Sequence, residues 1–328
     1  GGGFTRYSVD MIWKVPHFEK MLYDNGQLIG LYSRAYSYYK KPLYKRIVFQ
    51  TLEWLQREMQ TADGSFYSAL DADSEGDEGK FYCWNPSELK NILGDDYSWV
   101  KDFYNVNQLG YWEEDKYILL RTESDLGFAT KMKWTLEEFE IKIAKVNQKL
   151  LDERSHRIRP GLDDKCLTAW NAMTLKGLCD AYKAFGEEEM LQSARKIARW
   201  LVRTQMTAEG KLWRTSKNGI SKIHGFLEDY AHAIDGLIAF YQITFEKEWL
   251  DKANELCTTV LSEFHDEQSQ MFFYTSTANQ LIARKMEIND NVLPSSNSVM
   301  ARNLFYLGQI YYKPEFIKIA HQQLANIY

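Results

Sequence analysis

A pattern of two helices and a hairpin, which recurs four times, constrains the fold of this chain more than any other sequence feature. Each unit has an apolar helix, an amphipathic helix and an aromatic β-hairpin, and the units begin near residues 17, 164, 227 and 296. The hairpin segments Ala62–Tyr67 and Ala208–Trp213 match position by position, as Ala-Asp-Gly-Ser-Phe-Tyr and Ala-Glu-Gly-Lys-Leu-Trp. Repetition of this kind indicates stacked supersecondary units.

The two kinds of helix predict two layers. The first helix of each unit is apolar around most of its surface, as residues 227–244 are, whereas the second has one charged face, as residues 188–206 do. A helix of the first kind is covered on all sides, and a helix of the second kind keeps one face in water. We therefore expect four inner helices covered by an outer layer, arranged as an arc that flanking segments would close.

Residues 85–160 interrupt the repeat. Their main element is a predicted helix over 135–153, in which Thr135 is the N-cap and Glu138 follows three residues later, as in a capping box. We interpret the chain as one domain over 1–328, with an insertion at about 85–160.

The stretch Val15–Asp24 gathers charged side chains where we expect the first inner helix to begin. His17, Lys20 and Asp24 are spaced i, i+3, i+7, which predicts that they share one face of that helix. N-capping explains a histidine and a lysine poorly, so this stretch is a candidate for function.

The other inner helices also begin with polar residues. Asp163 and Asp164, then Glu228 and Asp229, then the serine-rich run 295–298 take equivalent places. If the inner helices are parallel, their N-termini meet at one end, where partial positive charges favour anionic or hydroxyl-rich ligands. These residue types are also common N-caps, which would explain any one cluster by itself; the coincidence of four favours a shared site.

His232 lies on one face of the third inner helix with Glu228 and Asp235, at i, i+4, i+7. It is either a general base or a hydrogen-bonded core imidazole. Three other histidines are interpreted as structural: His156, His265 and His321.

The acidic loop Asp71–Glu78 precedes a predicted returning strand over 80–84. Its acids at positions 1, 3 and 5 and Gly76 at position 6 resemble a calcium loop, but Tyr82 stands where a bidentate glutamate belongs, so we do not predict an EF-hand. Two interpretations remain. The loop is a solvated hairpin tip, or it projects Asp71 and Asp73 into the mouth of the ring as paired acids.

The composition argues against several functional classes. The net charge is −5 with mixed signs and no basic tract, so we expect no nucleic-acid partner. No apolar run reaches the roughly 18 residues of a membrane span, so no membrane is expected. The sequence predicts no metal and no cofactor. The four cysteines form no CxxC pair, which favours buried thiols and, with them, a reducing cytoplasmic location.

Several motifs, in order along the chain, carry a family resemblance. They are Gly1–Asp10, Val15–Asp24, Ala69–Gly76, Leu162–Lys165, Gly225–Tyr230 and Pro294–Ser298. Together they closely resemble the YyaL-like family, a domain of unknown function that includes the spermatogenesis-associated thioredoxin-like proteins. The resemblance implies an all-α fold, an (α/α)6 toroid similar to N-acylglucosamine 2-epimerases and six-hairpin glycosidases. Short β-hairpins join its helical hairpins. We expect the toroid to be incomplete at both ends here, and the full-length parent to carry a thioredoxin-like domain.

Three functions are compatible with these residues. The first is a carbohydrate-active enzyme of the sugar epimerase or isomerase class, in which His17 and His232 exchange a proton with a sugar-like small molecule. The second is an inverting glycoside hydrolase that uses paired carboxylates. The third is a non-catalytic scaffold that binds a sugar or peptide for the thioredoxin-like domain.

The hydrolase hypothesis pairs Asp71 or Asp73 with Asp164 or Glu228. Residues near these groups, or within the family motifs, are the candidate substrate-binding set: Arg6, Tyr7, Glu19, Lys20, Asp24, Asp163, Trp170, Asn171, Asp229, Tyr230 and Asn297.

Overall fold

The computed structural model describes residues 1–277 and 283–327, and it divides into two compact units. The smaller unit contains Gly1, Gly3–Met21 and Ala69–Asp163, and the hairpin unit contains Gly2, Leu22–Ser68 and Asp164–Tyr328. The predicted single domain over 1–328, with its insertion at about 85–160, stays a prediction, and residues 278–282 and 328 of it lie outside the described part.

The helices are bounded as follows: α1 (Leu22–Tyr39), α2 (Pro42–Trp54), α3 (Pro86–Leu93), α4 (Tyr97–Phe103), α5 (Asp125–Lys131), α6 (Leu136–Ser155), α7 (Thr168–Phe185), α8 (Glu188–Trp200), α9 (Leu227–Thr244), α10 (Lys247–Glu263), α11 (Ser296–Ile310) and α12 (Pro314–Ala325). The strands are short: β1 (Lys20–Met21), β2 (Ala69–Leu70), β3 (Asp73–Ser74), β4 (Asp77–Glu78), β5 (Leu162–Asp163), β6 (Cys166–Leu167), β7 (Trp213–Lys217) and β8 (Ile220–His224).

The hairpin unit consists of four helical hairpins, α1–α2, α7–α8, α9–α10 and α11–α12, and so confirms the repeat. The inner helices α1, α7, α9 and α11 pack side by side in that order. Thirteen of the 18 residues of α9 are buried, whereas α8 buries a single stripe. This difference is what the apolar and amphipathic patterns predict.

Glycines bring the inner helices into close contact. A Cβ on Gly177 of α7 would lie 2.2 Å from the carbonyl oxygen of Gly26 in α1, and one on Gly236 of α9 would lie 2.9 Å from the carbonyl oxygen of Ala172. The contacts advance together along α1 and α7, because Gly26 lies against Thr174 and Gly30 lies against Gly177. These two helices are therefore parallel and nearly in backbone contact.

The connection from each outer helix to the next inner helix is also repeated. Leu55–Met59 after α2 and Leu201–Gln205 after α8 are single π-helical turns. Each is followed by an isolated bridge, Gln60 to Phe66 and Met206 to Leu212, around a glycine with positive φ. After α10 the equivalent bridge joins His265 to Phe272, and Gln270 takes the glycine's place with a φ of 59°.

A polar side chain from the following inner helix holds each of these connections. The Asn171 Oδ1 accepts from the Phe66 N–H at 2.8 Å, the Tyr230 hydroxyl accepts from the Leu212 N–H at 2.9 Å, and the Asn297 Oδ1 accepts from the Phe272 N–H at 2.9 Å. We call these contacts the clasps. They satisfy buried backbone groups that have no ladder partner.

The smaller unit has a three-stranded sheet in the order β1–β2–β5 and an aromatic core. Phe103, Phe128 and Phe139 pack edge to face or tilted, with centroids 4.9–5.7 Å apart. The predicted capping box is confirmed, since the Thr135 N–H donates to Glu138 and the Glu138 N–H donates to Thr135 Oγ1. This unit therefore has a hydrophobic core of its own.

The first inner helix begins later than predicted. α1 begins at Leu22, and the residues before it are extended: the Val9 N–H donates to the Val15 carbonyl, and the His17 N–H donates to the Tyr7 carbonyl. Lys20 lies in β1, paired with Leu70. The prediction that His17, Lys20 and Asp24 share a helix face is wrong, because strand partners take up the backbone groups that a helix would use.

The second inner helix differs from the prediction in the same way. α7 begins at Thr168; Asp163 lies in β5, and Asp164 lies between β5 and β6. The predicted strand over 80–84 is also wrong, because β4 already returns the acidic loop, residues 79–82 form turns, and Trp84 makes only an isolated bridge with Tyr117. Polar residues do begin the other two inner helices, where Asp229 lies in the first turn of α9 and Ser295 caps α11.

Candidate functional site

Four predicted residues of the smaller unit lie together: Arg6, Tyr7, His17 and Glu19. The His17 ring stacks on Tyr7 with centroids 4.7 Å apart, and its Nδ1 lies 3.8 Å from the carboxylate of Glu19. The Arg6 guanidinium lies 3.2 Å from the same carboxylate. Glu19 therefore sits between two potentially cationic groups, a suitable arrangement for orienting the imidazole.

Lys20 lines a separate cavity of the same unit. Its side chain is buried, and its ammonium lies 5.0 Å from the centroid of the Tyr82 ring. The cavity has a volume of about 300 Å³ and is also lined by Trp84 and Arg154. A buried ammonium is stabilised here in part by an aromatic face.

Three further predicted residues of the smaller unit are acidic. Asp71 and Asp73 are exposed, and the Asp71 Oδ1 accepts from the N–H of Ala72. Asp163 pairs with Ala69 between strands. Across the described residues, no three His, Cys, Asp or Glu side chains group as they would around a metal ion.

A charged cluster of the hairpin unit surrounds the start of α9. The Arg214 Nη1, from β7, lies 2.5 Å from Glu228 Oε1 and 3.3 Å from Asp229 Oδ2. The Tyr274 hydroxyl hydrogen-bonds Glu228, and burial is the main cause that raises the pKa of this tyrosine. One guanidinium therefore forms ion pairs with two adjacent carboxylates.

Asp229 holds two helices by their backbones. Its Oδ2 accepts from the Phe226 N–H at 2.9 Å, at the start of its own helix. Its Oδ1 accepts from the Ala169 N–H at 3.1 Å, in the first turn of α7. Burial raises its pKa to about 7, against the opposing effect of Arg214. The side chain thus acts as an N-cap in this structure.

The remaining predicted residues of this unit make local contacts. Asp164 forms an ion pair with Lys217 at 2.7 Å, and this hydrogen bond is the main cause that lowers its pKa. The Trp170 ring packs edge-on against Tyr23, with centroids 4.8 Å apart. Asp24 is half-buried near the start of α1. Asn171, Tyr230 and Asn297 form the clasps.

His232 is a buried imidazole in the second turn of α9. One ring nitrogen hydrogen-bonds the backbone of Pro294, and burial lowers the pKa to about 4. Its Nε2 is inaccessible and has no hydrogen-bond partner among the described residues. Because a proline offers only its carbonyl, the other nitrogen is the donor, and Nε2 carries the lone pair.

An ion-pair network next to His232 was not predicted as part of the site. The Lys176 Nζ of α7 and the Arg302 Nη2 of α11 each lie 2.6 Å from the same oxygen, Asp235 Oδ2 of α9. Arg302, the one charged residue of α11, was the available signal. Arg214 gave no such signal, because it lies in a short polar strand.

The four cysteines are buried thiols, which agrees with the sequence-based interpretation. Burial raises the pKa of Cys83 and of Cys257 to about 12. They therefore stay protonated at neutral pH and have little nucleophilic character. No helix of the described residues has both the length and the apolar character needed to cross a membrane.

The chain is similar in sequence to proteins about twice its length. It is 32% identical to human spermatogenesis-associated protein 20, over 94% of this chain and 44% of that protein. It is 30% identical to uncharacterized protein B0495.5 of Caenorhabditis elegans, over 98% of this chain and 48% of that protein. The mouse spermatogenesis-associated protein 20 is also 30% identical, over 94% and 43%. No family model matches the chain.

Three solved structures that are similar in fold are named as two sugar epimerases and a mannanase. A sugar epimerase from a ruminal bacterium gives a TM-score of 0.61 at 11% identity, over 99% of this chain and 65% of that chain. The cellobiose 2-epimerase of Spirochaeta thermophila gives 0.60 at 10%, over 99% and 62%. The GH76 α-mannanase of Bacteroides thetaiotaomicron gives 0.52 at 12%, over 93% and 60%. At these identities the likeness concerns the fold, and it confirms the (α/α)6 toroid class.

Proposed function

We propose that this chain is a carbohydrate-active enzyme of the sugar epimerase or isomerase class, with His232 as the group that moves the proton. One observation carries the proposal: a neutral imidazole on an inner helix has one nitrogen held by the Pro294 backbone and the other without a partner among the described residues. Two of the proteins with a similar fold are named as sugar epimerases, which agrees with this class. A shared fold by itself does not assign a reaction.

The chemistry needs a base that is neutral before it acts. Epimerisation removes a proton from the carbon next to the sugar carbonyl, and the electron pair moves to the carbonyl oxygen as an enediolate. Delivery of a proton to the opposite face of that carbon, which needs a second acid on that face, gives the epimer. Return of the abstracted proton by the imidazole to the former carbonyl carbon gives the isomer. A pKa of about 4 keeps His232 neutral at pH 7, so Nε2 can accept the proton.

Substrate has to reach an atom that is covered in this structure. Lys176 and Arg302, whose side chains are 31% and 43% exposed, belong to the network that acts electrostatically on His232. Long side chains of this kind rearrange at little cost. We infer that ligand binding displaces them enough to open Nε2.

The hydrolase hypothesis is weaker because its general acid must hold a proton at the start of the reaction. The candidate carboxylates of the hairpin unit are in ion pairs: Asp164 with Lys217 and Glu228 with Arg214. The hydrogen bond from Lys217 lowers the pKa of Asp164 and so favours its ionised form. The scaffold hypothesis is distinguished by experiment, since it predicts binding without turnover.

The test is exchange with solvent of the sugar proton on the carbon next to the carbonyl. The chain is incubated in D₂O with a panel of aldoses, ketoses and N-acyl amino sugars, free and phosphorylated. Proton NMR follows loss of the C2–H signal of the aldoses and amino sugars and of the C1–H and C3–H signals of the ketoses. We expect exchange that His232→Asn abolishes and that His321→Asn, an exposed control on α12, leaves unchanged. His17→Asn in the same assay tests the second histidine, whose role stays a prediction.

Absence of exchange with every sugar of the panel would sink the proposal, as would undiminished exchange in a folded His232→Asn variant. Saturable sugar binding without any exchange would favour the scaffold hypothesis instead.

A further inference from the structure

The charges on the inner helices are unbalanced beyond the first turn. There, α1, α7, α9 and α11 carry two carboxylates, Asp180 and Asp235, and four cations. The cations are Arg34, Lys176, Lys183 and Arg302. This positive surplus lies in a chain whose net charge is −5, so it is a local feature.

Each charge makes a defined contact with the neighbouring inner helix. Arg34 of α1 pairs with Asp180 of α7, one cation with one carboxylate. Lys183 of α7 donates to the neutral Gln242 side chain of α9 at 3.2 Å. The third contact differs, because there two cations share one carboxylate.

Because Lys176 and Arg302 share one carboxylate, most of their N–H groups remain available to a further acceptor. Lys176 and Arg302 both reach Oδ2 of Asp235 at 2.6 Å, and their other N–H groups have no acceptor among the described residues. The Asp235 side chain is only 10% exposed, whereas the side chains of Lys176 and Arg302 are 31% and 43% exposed. The carboxylate is therefore covered, and the two cationic ends remain accessible.

The neutral His232 adds no charge, but its Nε2 offers a hydrogen-bond acceptor. A protonated His232 would offer a donor at the same atom. It lies one turn before Asp235 on α9 and interacts electrostatically with Asp235, Lys176 and Arg302. A buried nitrogen without a partner next to two incompletely paired cations is a second, independent indication that a polar ligand binds here.

We propose that Lys176 and Arg302 bind an oxyanion, the phosphate group of a ligand, which competes with Asp235 for the two cations. Guanidinium forks bind phosphate oxygens in pairs, and a lysine adds a point charge. The inference rests on the proposed function in one respect: it makes the substrate of that enzyme a phosphorylated sugar.

The binding test uses the full chain and inorganic phosphate, titrated by calorimetry at low salt, with glucose 6-phosphate and glucose as the second and third ligands. We expect both phosphates to bind, and glucose to bind at least about tenfold more weakly, since a charge-assisted contact accounts for that factor. Tighter binding of glucose 6-phosphate than of inorganic phosphate identifies a sugar phosphate as the source of the group; equal affinity identifies free phosphate.

Four variants separate binding from stability. Arg302→Gln and Lys176→Met should each weaken phosphate binding about tenfold or more, and Lys183→Met on α7 is the matched control that should not. Asp235→Asn removes the competing carboxylate with little change in shape, so it should strengthen phosphate binding several-fold. A network that serves stability alone predicts a lower melting temperature for Asp235→Asn and no gain in affinity.

The proposal is overturned if phosphate shows no binding at millimolar concentration, if Lys183→Met weakens it as much as Arg302→Gln does, or if folded Asp235→Asn binds no better. These results are separable from the proposed function. Phosphate binding without proton exchange in any sugar refutes the enzyme and keeps the anion site, and exchange without phosphate binding does the reverse.

Discussion

His232 shows how burial and hydrogen bonding set the state of a single residue. Burial is the main cause that lowers its pKa, and it outweighs the opposing effect of Asp235, while Lys176 and Arg302 act in the same direction as burial. The result is a neutral ring in a chain whose function we expect to need a neutral base. The same balance makes the residue a measurable contributor to stability.

We predict that the contribution of His232 to stability falls when the pH drops below about 6.5. The pKa of His232 is lowered from 6.5 to about 4 in the folded chain, so between these values the unfolded state binds more protons. Its contribution is fully present above pH 6.5 and is lost as the pH approaches 4. Urea unfolding at pH 7 and pH 5 should differ by about 2 kcal/mol through this residue.

His232→Gln should flatten that part of the dependence. The groups that face the imidazole, Asp235, Lys176 and Arg302, remain in the variant. In both proteins His265, whose pKa burial also lowers, adds a slope of the same sign, and Asp229, whose pKa burial raises to about 7, adds one of the opposite sign. An unchanged difference between pH 7 and pH 5 in the variant would show that His232 is protonated without penalty.

At the scale of one element, helix starts were the least predictable feature. The apolar periodicity of α1 and α7 marks where their cores lie, but β1 takes up the residues just before α1, and β5 and β6 take up the segment before α7. Such strand pairing joins segments that are far apart in sequence, and no local pattern reveals it. Where capping alone decides, as at Thr135 and Ser295, the sequence was sufficient.

The clasps show that Asn171 and Asn297, which the sequence offered as substrate-binding candidates, contact the backbone. A polar residue inside an apolar helix indicates a site, and the sequence does not say whether its partner is a ligand or the backbone. In the structure, Asn171 accepts from the Phe66 N–H and donates to the Phe66 carbonyl. Asn297 likewise accepts from the Phe272 N–H and donates to the Phe272 carbonyl. Their role toward a substrate stays a prediction.

We predict that Asn171→Ala lowers the free energy of unfolding by about 3 kcal/mol, because it leaves the buried N–H and C=O of Phe66 unpaired. Chemical denaturation measures the loss, and Asn91→Ala, at an exposed position of α3, should change it by less than about 0.5 kcal/mol. Weaker ligand binding with unchanged stability would instead place Asn171 in a binding site.

Across the whole molecule, the repeat was readable because each hairpin buries its apolar helix in the same way. The four hairpins and the inner row of α1, α7, α9 and α11 follow from periodicity. The candidate site was less predictable, since its ion pairs join side chains such as Lys176 and Asp235 that are 59 positions apart. The sequence pointed to His232 and to the start of α9, and it missed their cationic neighbours.

One arginine just after α6, Arg157, connects several segments of the smaller unit. The Arg157 Nη1 donates to the carbonyls of Phe81 and Cys83 at 2.9 and 2.7 Å, and its Nη2 donates to the Glu88 carboxylate at 2.6 Å. The guanidinium also lies 3.9 Å from the centroid of the Trp84 ring. A single side chain thus ties residues 80–84 and α3 to the segment after α6.

We predict that Arg157→Met loosens this region of the smaller unit without unfolding the chain. Charge-assisted hydrogen bonds to otherwise unpaired carbonyls contribute about 2 kcal/mol each, so amide hydrogen exchange over residues 80–93 should accelerate at least about tenfold. All the contacts of Arg157 named above lie within the smaller unit, and we expect exchange in α7 and α9 to stay at the wild-type rate. Lys145→Met, on the exposed face of α6, is the matched control. Equal acceleration in α9 would mean that the two units unfold as one cooperative system, whereas exchange confined to residues 80–93 would identify the smaller unit as a separately stabilised part of the molecule.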